Sequence, residues 1–240
     1  MKLDILDKSD KEWYKNKLDY VFENAKINPD WAKDIVPELL KLDILDKSDK
    51  EWYKNKLDCA FEKAKTNYGW ARYIVPELLK VDVLEKSEVK EKYMDLLNCA
   101  FEKAKTGYDW VYVISRLLEL GILEKSEVKE KYMDLLNHAF EKAETDQRWV
   151  SVVPELLKLD ILDKSDKEWY KNKLDCVFEN AKSAKTSYYW LDHTVSQLLR
   201  LDGDIGKRLN IILDKSDKEW YKNKLDYAFE KAKTKEFWAE

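Results

Sequence analysis

Apolar side chains along this chain recur at helical spacing and seldom alternate. Tyr14, Leu18, Val21, Phe22 and Ala25 fall at i, i+4, i+7, i+8 and i+11, which draws one stripe down an α-helix. Ala32, Ile35, Val36, Leu39 and Leu40 draw a second stripe, at i, i+3, i+4, i+7 and i+8. The first helix is predicted to open at Ser9. There Ser-Asp-Lys-Glu reads as a capping box, with Ser9 accepting from the third helical amide and Glu12 reaching back. The second helix is predicted to start near Trp31, with Asn28 and Pro29 suited to its cap and first turn. Pro37 removes an amide donor inside that second stripe, so a kink is expected.

The two-helix pattern then repeats. KLDILDKSDKEWYKNKLD begins at Lys2, Lys41 and Lys158, and ILDKSDKEWYKNKLD returns at Ile212. Diverged versions begin at Val81 and Leu120. The copies run 2–40, 41–79, 80–118, 119–157, 158–199 and 200–240, the first four with a period of 39. Copy 5 gains three residues near Ser183, and copy 6 gains nine around GDIGKRLNI. The capping motif recurs at Ser48, Ser165 and Ser216, while Arg116 and Ser196-Gln197 replace the proline region in copies 3 and 5. Self-similarity at this period predicts an all-α fold, an α-α superhelix of about six tandem 39-residue helix-turn-helix repeats. It is expected to form a single α-solenoid domain over residues 1–240.

The stretch IVPELLKLDILDKSDKEWYKNKLDYVFENAK resembles a HEAT repeat, within the HEAT/armadillo-like class of two-helix α-solenoids. The resemblance rests on Pro37, Leu39 and Leu40, on the acidic turn, and on the aromatic-basic start of the next helix. The proline is present in copies 1, 2 and 4, and Trp13-Tyr14-Lys15 stands where HEAT units usually show Val-Arg. The resemblance is therefore architectural. It implies a curved array that binds proteins or, less often, nucleic acid, and fold alone assigns no function.

Composition narrows the classes. With 45% hydrophobic and 38% charged residues the chain can bury a core, and is too apolar for a disordered tail. Lys+Arg 44 against Asp+Glu 48 leaves a net charge of −4, too weak a field to recruit nucleic acid or anionic lipid. No stretch approaches the ~20 apolar residues of a membrane span. The start MKLDILDKSDK has no apolar signal core, so no secretory signal and no membrane partner are expected. Three cysteines are a sparse, odd set, which favours a reducing compartment such as the cytoplasm.

The cysteines and histidines invite a metal or nucleophile reading, which the repeat alignment opposes. Tyr20, Cys59, Cys99, His138, Cys176 and Tyr227 occupy one column, and equivalent positions on packed helices lie ~10 Å apart. Zinc ligands must instead converge to ~2 Å, and disulfide Cα atoms to within ~7 Å. Gly203 and Gly206 follow no strand, and no Gly-x-Ser-x-Gly or His-Glu-x-x-His occurs. No catalytic residue, metal or cofactor is assigned, and the chain is read as non-enzymatic. Trp13, Lys17, Tyr20 and Asn24 form a further stripe that could stack on bases, or could pack against a neighbouring repeat. Packing is the favoured reading, because Asp10, Glu12, Asp19 and Glu23 interleave the lysines.

Variation among the copies concentrates where the second helix opens: INPDWAKDIV, TNYGWARYIV, TGYDWVYVIS, TDQRWVSVV and TSYYWLDHTV. The tryptophans at 31, 70, 110, 149 and 190 stay while their neighbours change, as in a repeat protein presenting a binding surface. The third residue after Trp (Asp34, Tyr73, Val113, Val152, His193) is expected to point away from the core. The candidate site is thus Tyr68, Arg72, Tyr73, Tyr108, Tyr112, Val113, Arg148, Val152, Tyr188, Tyr189 and His193, rich in the residue types of interface hot spots. Simple loop drift gives the same picture without a function. The favoured partner is another protein, with a nucleic-acid-binding array and a structural or antigenic spacer as alternatives. The chain opens on LDIL and closes on Trp238-Ala239-Glu240 without a polar capping helix. That suggests either a segment of a longer array or self-association through the ends.

Overall fold

A computed structural model of the chain describes residues 8–25, 29–40, 42, 44–81, 83–143, 146–182, 212–213 and 215–233, and among them the regular structure is entirely helical. The chain divides into two compact units, Met1–Glu124 and Lys125–Glu240. The first unit holds α1 (Lys11–Ala25), α2 (Pro29–Leu40), α3 (Lys50–Ala64), a π-helical turn Trp70–Ile74 running into α4 (Val75–Leu79), α5 (Lys86–Ala104) and α6 (Asp109–Leu118). The second holds α7 (Lys125–Ala143), α8 (Gln147–Val150), α9 (Val152–Leu157), α10 (Lys167–Lys182) and α11 (Lys218–Lys233).

In the first copy the predicted stripes form the core. Tyr14, Leu18, Val21 and Phe22 of α1 are buried, as are Ala32 and Val36 of α2, whereas Ile35, Leu39 and Leu40 are half-buried. In each of the first four copies a buried tyrosine ties the two helices together. Its hydroxyl donates to a leucine carbonyl late in the second helix: Tyr14 to Leu39 (2.8 Å), Tyr53 to Leu78 (2.5 Å), Tyr93 to Leu117, and Tyr132 to Leu156 (2.6 Å). A phenol can enter an apolar core because that bond replaces the water it loses. Burial pushes the Tyr53 and Tyr93 hydroxyls well above their ordinary pKa, so they stay protonated donors.

Ahead of α3 and α10 the helix starts differ from the expected Ser-Asp-Lys-Glu box. Asp46, two residues ahead of Ser48, takes the cap: it accepts from the Ser48 amide (2.9 Å), and its own amide donates to Asp49 (3.0 Å). Asp163 and Asp166 repeat this ahead of α10, and Glu85 and Glu88 form the equivalent box ahead of α5. Carboxylate accepts more strongly than hydroxyl, and it gains from the positive end of the helix. The serines at 48 and 165 serve the cap rather than forming it, each donating its hydroxyl to the capping aspartate (2.6 Å).

Moving the cap frees the aspartate of the Ser-Asp pair to bind the preceding first helix. Asp49 is 4% exposed and receives Lys11 (3.1 Å) and Lys15 (2.7 Å) from α1. Asp166 receives Lys129 (2.8 Å) from α7, and Asp217 receives Lys167 (2.7 Å) and Lys171 (3.1 Å) from α10. Further along the same helices the polarity reverses. Lys56 of α3 pairs back to Asp19 (2.5 Å), Lys92 of α5 to Asp58 (2.5 Å), and Lys224 of α11 to Asp175. The tryptophan one residue before the core tyrosine sits inside these junctions. Trp52 lies beneath Lys15 and Lys56, Trp169 donates to Asn137 (3.1 Å), and Trp220 donates to Asp175 (3.1 Å).

The prolines act upstream of themselves. Ahead of Pro76 the helix widens into the π turn, and ahead of Pro154 it breaks at Ser151 between α8 and α9. Pro37 lies inside a continuous α2. Eight residues separate Trp70 from Leu78 but seven separate Trp110 from Leu117, and the latter span is plain α-helix. The eight residues from Trp31 to Leu39 run through α2 without such a turn, so the π turn is a feature of copy 2 and not of the spacing alone.

Candidate functional site

The π turn builds the site. Asn67 caps the turn, accepting from the amides of Gly69 (2.9 Å) and Trp70 (3.3 Å), so that Trp70 enters the core against Phe22 at 5.6 Å. With Trp70, Ala71 and Ile74 buried, Tyr68, Arg72 and Tyr73 are left half-buried on the outer side. Tyr112 arrives from α6 in the next sequence copy. The Arg72 guanidinium lies over three rings, 5.5 Å from Tyr68, 5.3 Å from Tyr73 and 4.8 Å from Tyr112. It also donates to the Tyr68 hydroxyl. Tyr68 in turn meets Tyr73 edge-on at 6.3 Å and Trp110 at 6.1 Å. Burial pushes the Tyr68 hydroxyl above its ordinary pKa, with Arg72 opposing the shift.

Four of the expected residues therefore form one cluster: Tyr68, Arg72, Tyr73 and Tyr112. A planar cation among ring faces is held in place by its quadrupolar attraction to each. Its hydrogen bond to protein among the described residues is the one to Tyr68, which leaves further N–H donors on the guanidinium. The cluster thus combines aromatic surface with a cation that has donors in hand. Sequence reasoning missed Trp110 as a member. Its signal was the tryptophan column itself: Trp70 and Trp149 are buried, while Trp110 is half-buried and carries Lys103 over its ring at 4.7 Å.

Other candidates lie elsewhere. Tyr108 is half-buried in the turn ahead of α6. Arg148 belongs to the other compact unit and is held by Asp146 through two bonds, 3.0 and 2.7 Å. Val113 and Val152 are corrections: both are fully buried rather than exposed. Copies 3 and 4 have one residue fewer between Trp and the Leu-Leu pair. The third residue after Trp therefore stands four before Leu117 and Leu156, as the core residue Ile74 stands four before Leu78. A one-residue loss turns the helix by about 100°, enough to carry a side chain from rim to core. Tyr188, Tyr189 and His193 lie outside the described residues.

The described residues of the cysteine column differ in their surroundings. Cys59 and Cys176 are exposed free thiols, Cys99 donates to the Lys65 carbonyl at 3.4 Å, and His138 meets Trp149 edge-on at 5.2 Å. Among the described residues no group of three His, Cys, Asp or Glu is placed to hold a metal ion. No described helix is long and apolar enough to cross a membrane. The chain matches no protein family, no curated protein and no solved structure.

Proposed function

We propose that the chain is a non-enzymatic binding scaffold, a solenoid of six two-helix repeats that takes a partner protein on the Tyr68–Arg72–Tyr73–Tyr112 cluster. The carrying observation is Arg72 held over three tyrosine rings with donors to spare. Rigid aromatics around an arginine lose little side-chain entropy on binding, which is why Tyr, Trp and Arg dominate hot spots. The remaining guanidinium donors suit a carboxylate of the partner. The junction pattern supports the array, since a helix that contacts both its partner helix and the next copy needs two sticky faces.

Nucleic acid is the weaker reading. The lysines that could track phosphates are engaged by carboxylates, as with Lys11 and Lys15 at Asp49 and Lys167 and Lys171 at Asp217. The test places a photo-reactive phenylalanine at position 112, and at Glu91 on α5 as control. Partner capture confined to position 112 supports the proposal. Equal capture at both, or capture of nucleic acid with a steep salt dependence, contradicts it.

A further inference from the structure

Two junctions between successive first helices, α1–α3 and α10–α11, use one set of contacts. The earlier helix offers two lysines near its start and an aspartate five residues after its core tyrosine. The later helix answers with an acid at its cap, a tryptophan one residue before its tyrosine and a lysine three after. In α1–α3 the set is Lys11 and Lys15 on Asp49, with Lys56 on Asp19. In α10–α11 it is Lys167 and Lys171 on Asp217, with Trp220 and Lys224 on Asp175. Each half of the set is therefore a specific surface complementary to the other half.

Both halves also stand exposed. On α1, Trp13 and Lys17 occupy the positions of Trp220 and Lys224, and Trp13 is 47% exposed, with Lys17 over its own ring at 5.7 Å. Its acid, Asp10, is half-buried where Asp49 and Asp217 are buried. On α11, Lys218, Lys222 and Asp226 occupy the positions of Lys167, Lys171 and Asp175, and all three are exposed. An exposed tryptophan beside a lysine, facing a surface with the opposite order of charge, has its binding partner specified by the internal junctions.

We propose that the Trp13–Lys17 face of α1 docks the Lys218–Asp226 face of α11 from a second copy of this chain. Trp13 and Lys17 then meet Asp226, while Lys218 and Lys222 meet the acidic start of α1. Such a contact joins different surfaces of the two molecules and so propagates head to tail. It is independent of the tyrosine cluster, which lies on the second-helix side of its copies.

The test is sedimentation velocity of the 240-residue chain across a concentration series at low and high salt. The expected result is a mass above one chain that grows with concentration and falls with salt. Lys17→Asp or Asp226→Lys alone should weaken association by about ten-fold or more, since each leaves like charges facing. The chain carrying both should regain it, because the swapped pair meets again at every contact. Trp13→Ala should weaken it with unchanged helicity by circular dichroism. A single-chain mass throughout overturns the proposal. So do single swaps without effect, or a double swap that fails to restore association.

Discussion

At the scale of single residues the fold relies on a few polar groups placed inside apolar ones. Tyr14, Tyr53, Tyr93 and Tyr132 each spend their hydroxyl on a carbonyl late in the neighbouring helix, fixing how far the two can slide. Removing the hydroxyl of Tyr53 leaves the Leu78 carbonyl with its backbone partner alone, the Val81 amide at 3.3 Å. Tyr53→Phe should therefore lower unfolding stability by about 0.5–1.5 kcal/mol in urea denaturation, the net worth of one hydrogen bond. Leu78→Ala, which empties a buried site beside it, should cost about 2–5 kcal/mol.

The capping aspartates set a pH dependence. The Ser165 hydroxyl and amide, with Lys129, hold the Asp163 carboxyl down at about 2, and the Ser48 hydroxyl, Lys11 and the Ser48 amide depress Asp46 in the same way. A folded-state pKa below the unfolded one gives stability that is complete above the unfolded value of ~3.9. That stability is lost as pH falls through the folded value. Stability should thus decline between about pH 4 and about pH 2. The Asp163→Asn variant should show a shallower decline in denaturant titrations at stepped pH. An equally steep decline in that variant would place the sensitivity elsewhere.

At the scale of elements the decisive feature is a one-residue difference in the second helix. The stripes through Tyr14, Leu18 and Phe22 were legible because a 3.6-residue period needs only composition along one element. The register of Val113 and Val152 was not. Counting forward from tryptophan puts them on the rim, and counting back from the Leu-Leu pair puts them in the core. Only packing decides which anchor governs, and here the fully buried Leu117 and Leu156 do. The cap was misread for a related reason: Ser-Asp-Lys-Glu and Asp-Lys-Ser-Asp overlap, and the second wins because its distal aspartate also binds the preceding helix. The tyrosine and arginine enrichment was visible in the sequence, but the gathering of Arg72 with Tyr112 required the π turn.

The corrected register makes a sharp contrast. Val113→Asp puts an unpaired carboxylate in the core and should cost about 3–5 kcal/mol or unfold the chain. The adjacent Tyr112→Ala should leave helicity and the urea midpoint nearly unchanged. Circular dichroism of the two variants separates them, and the opposite ranking would restore the rim position for Val113.

At the scale of the whole molecule the proposed array makes contacts mainly between neighbouring copies, so copies should be separable units. Excision of residues 80–118 joins Leu79 to Glu119, and the same Glu-Lys-Ser-Glu-Val-Lys framework then follows the join. The shortened chain should stay helical and melt cooperatively, whereas loss of helicity would mean that distant copies depend on one another. It should also lose the partner, since Tyr112 and Trp110 leave with the copy. The central claim, that the tyrosine-caged arginine is the binding surface, is tested most directly by the affinity of the captured partner for single-site variants. Calorimetry should show Kd rising roughly five- to thirty-fold, about 1–2 kcal/mol, for Arg72→Ala and for Tyr112→Ala, with helicity unchanged. A Kd equal to that of the parent in both variants would contradict it.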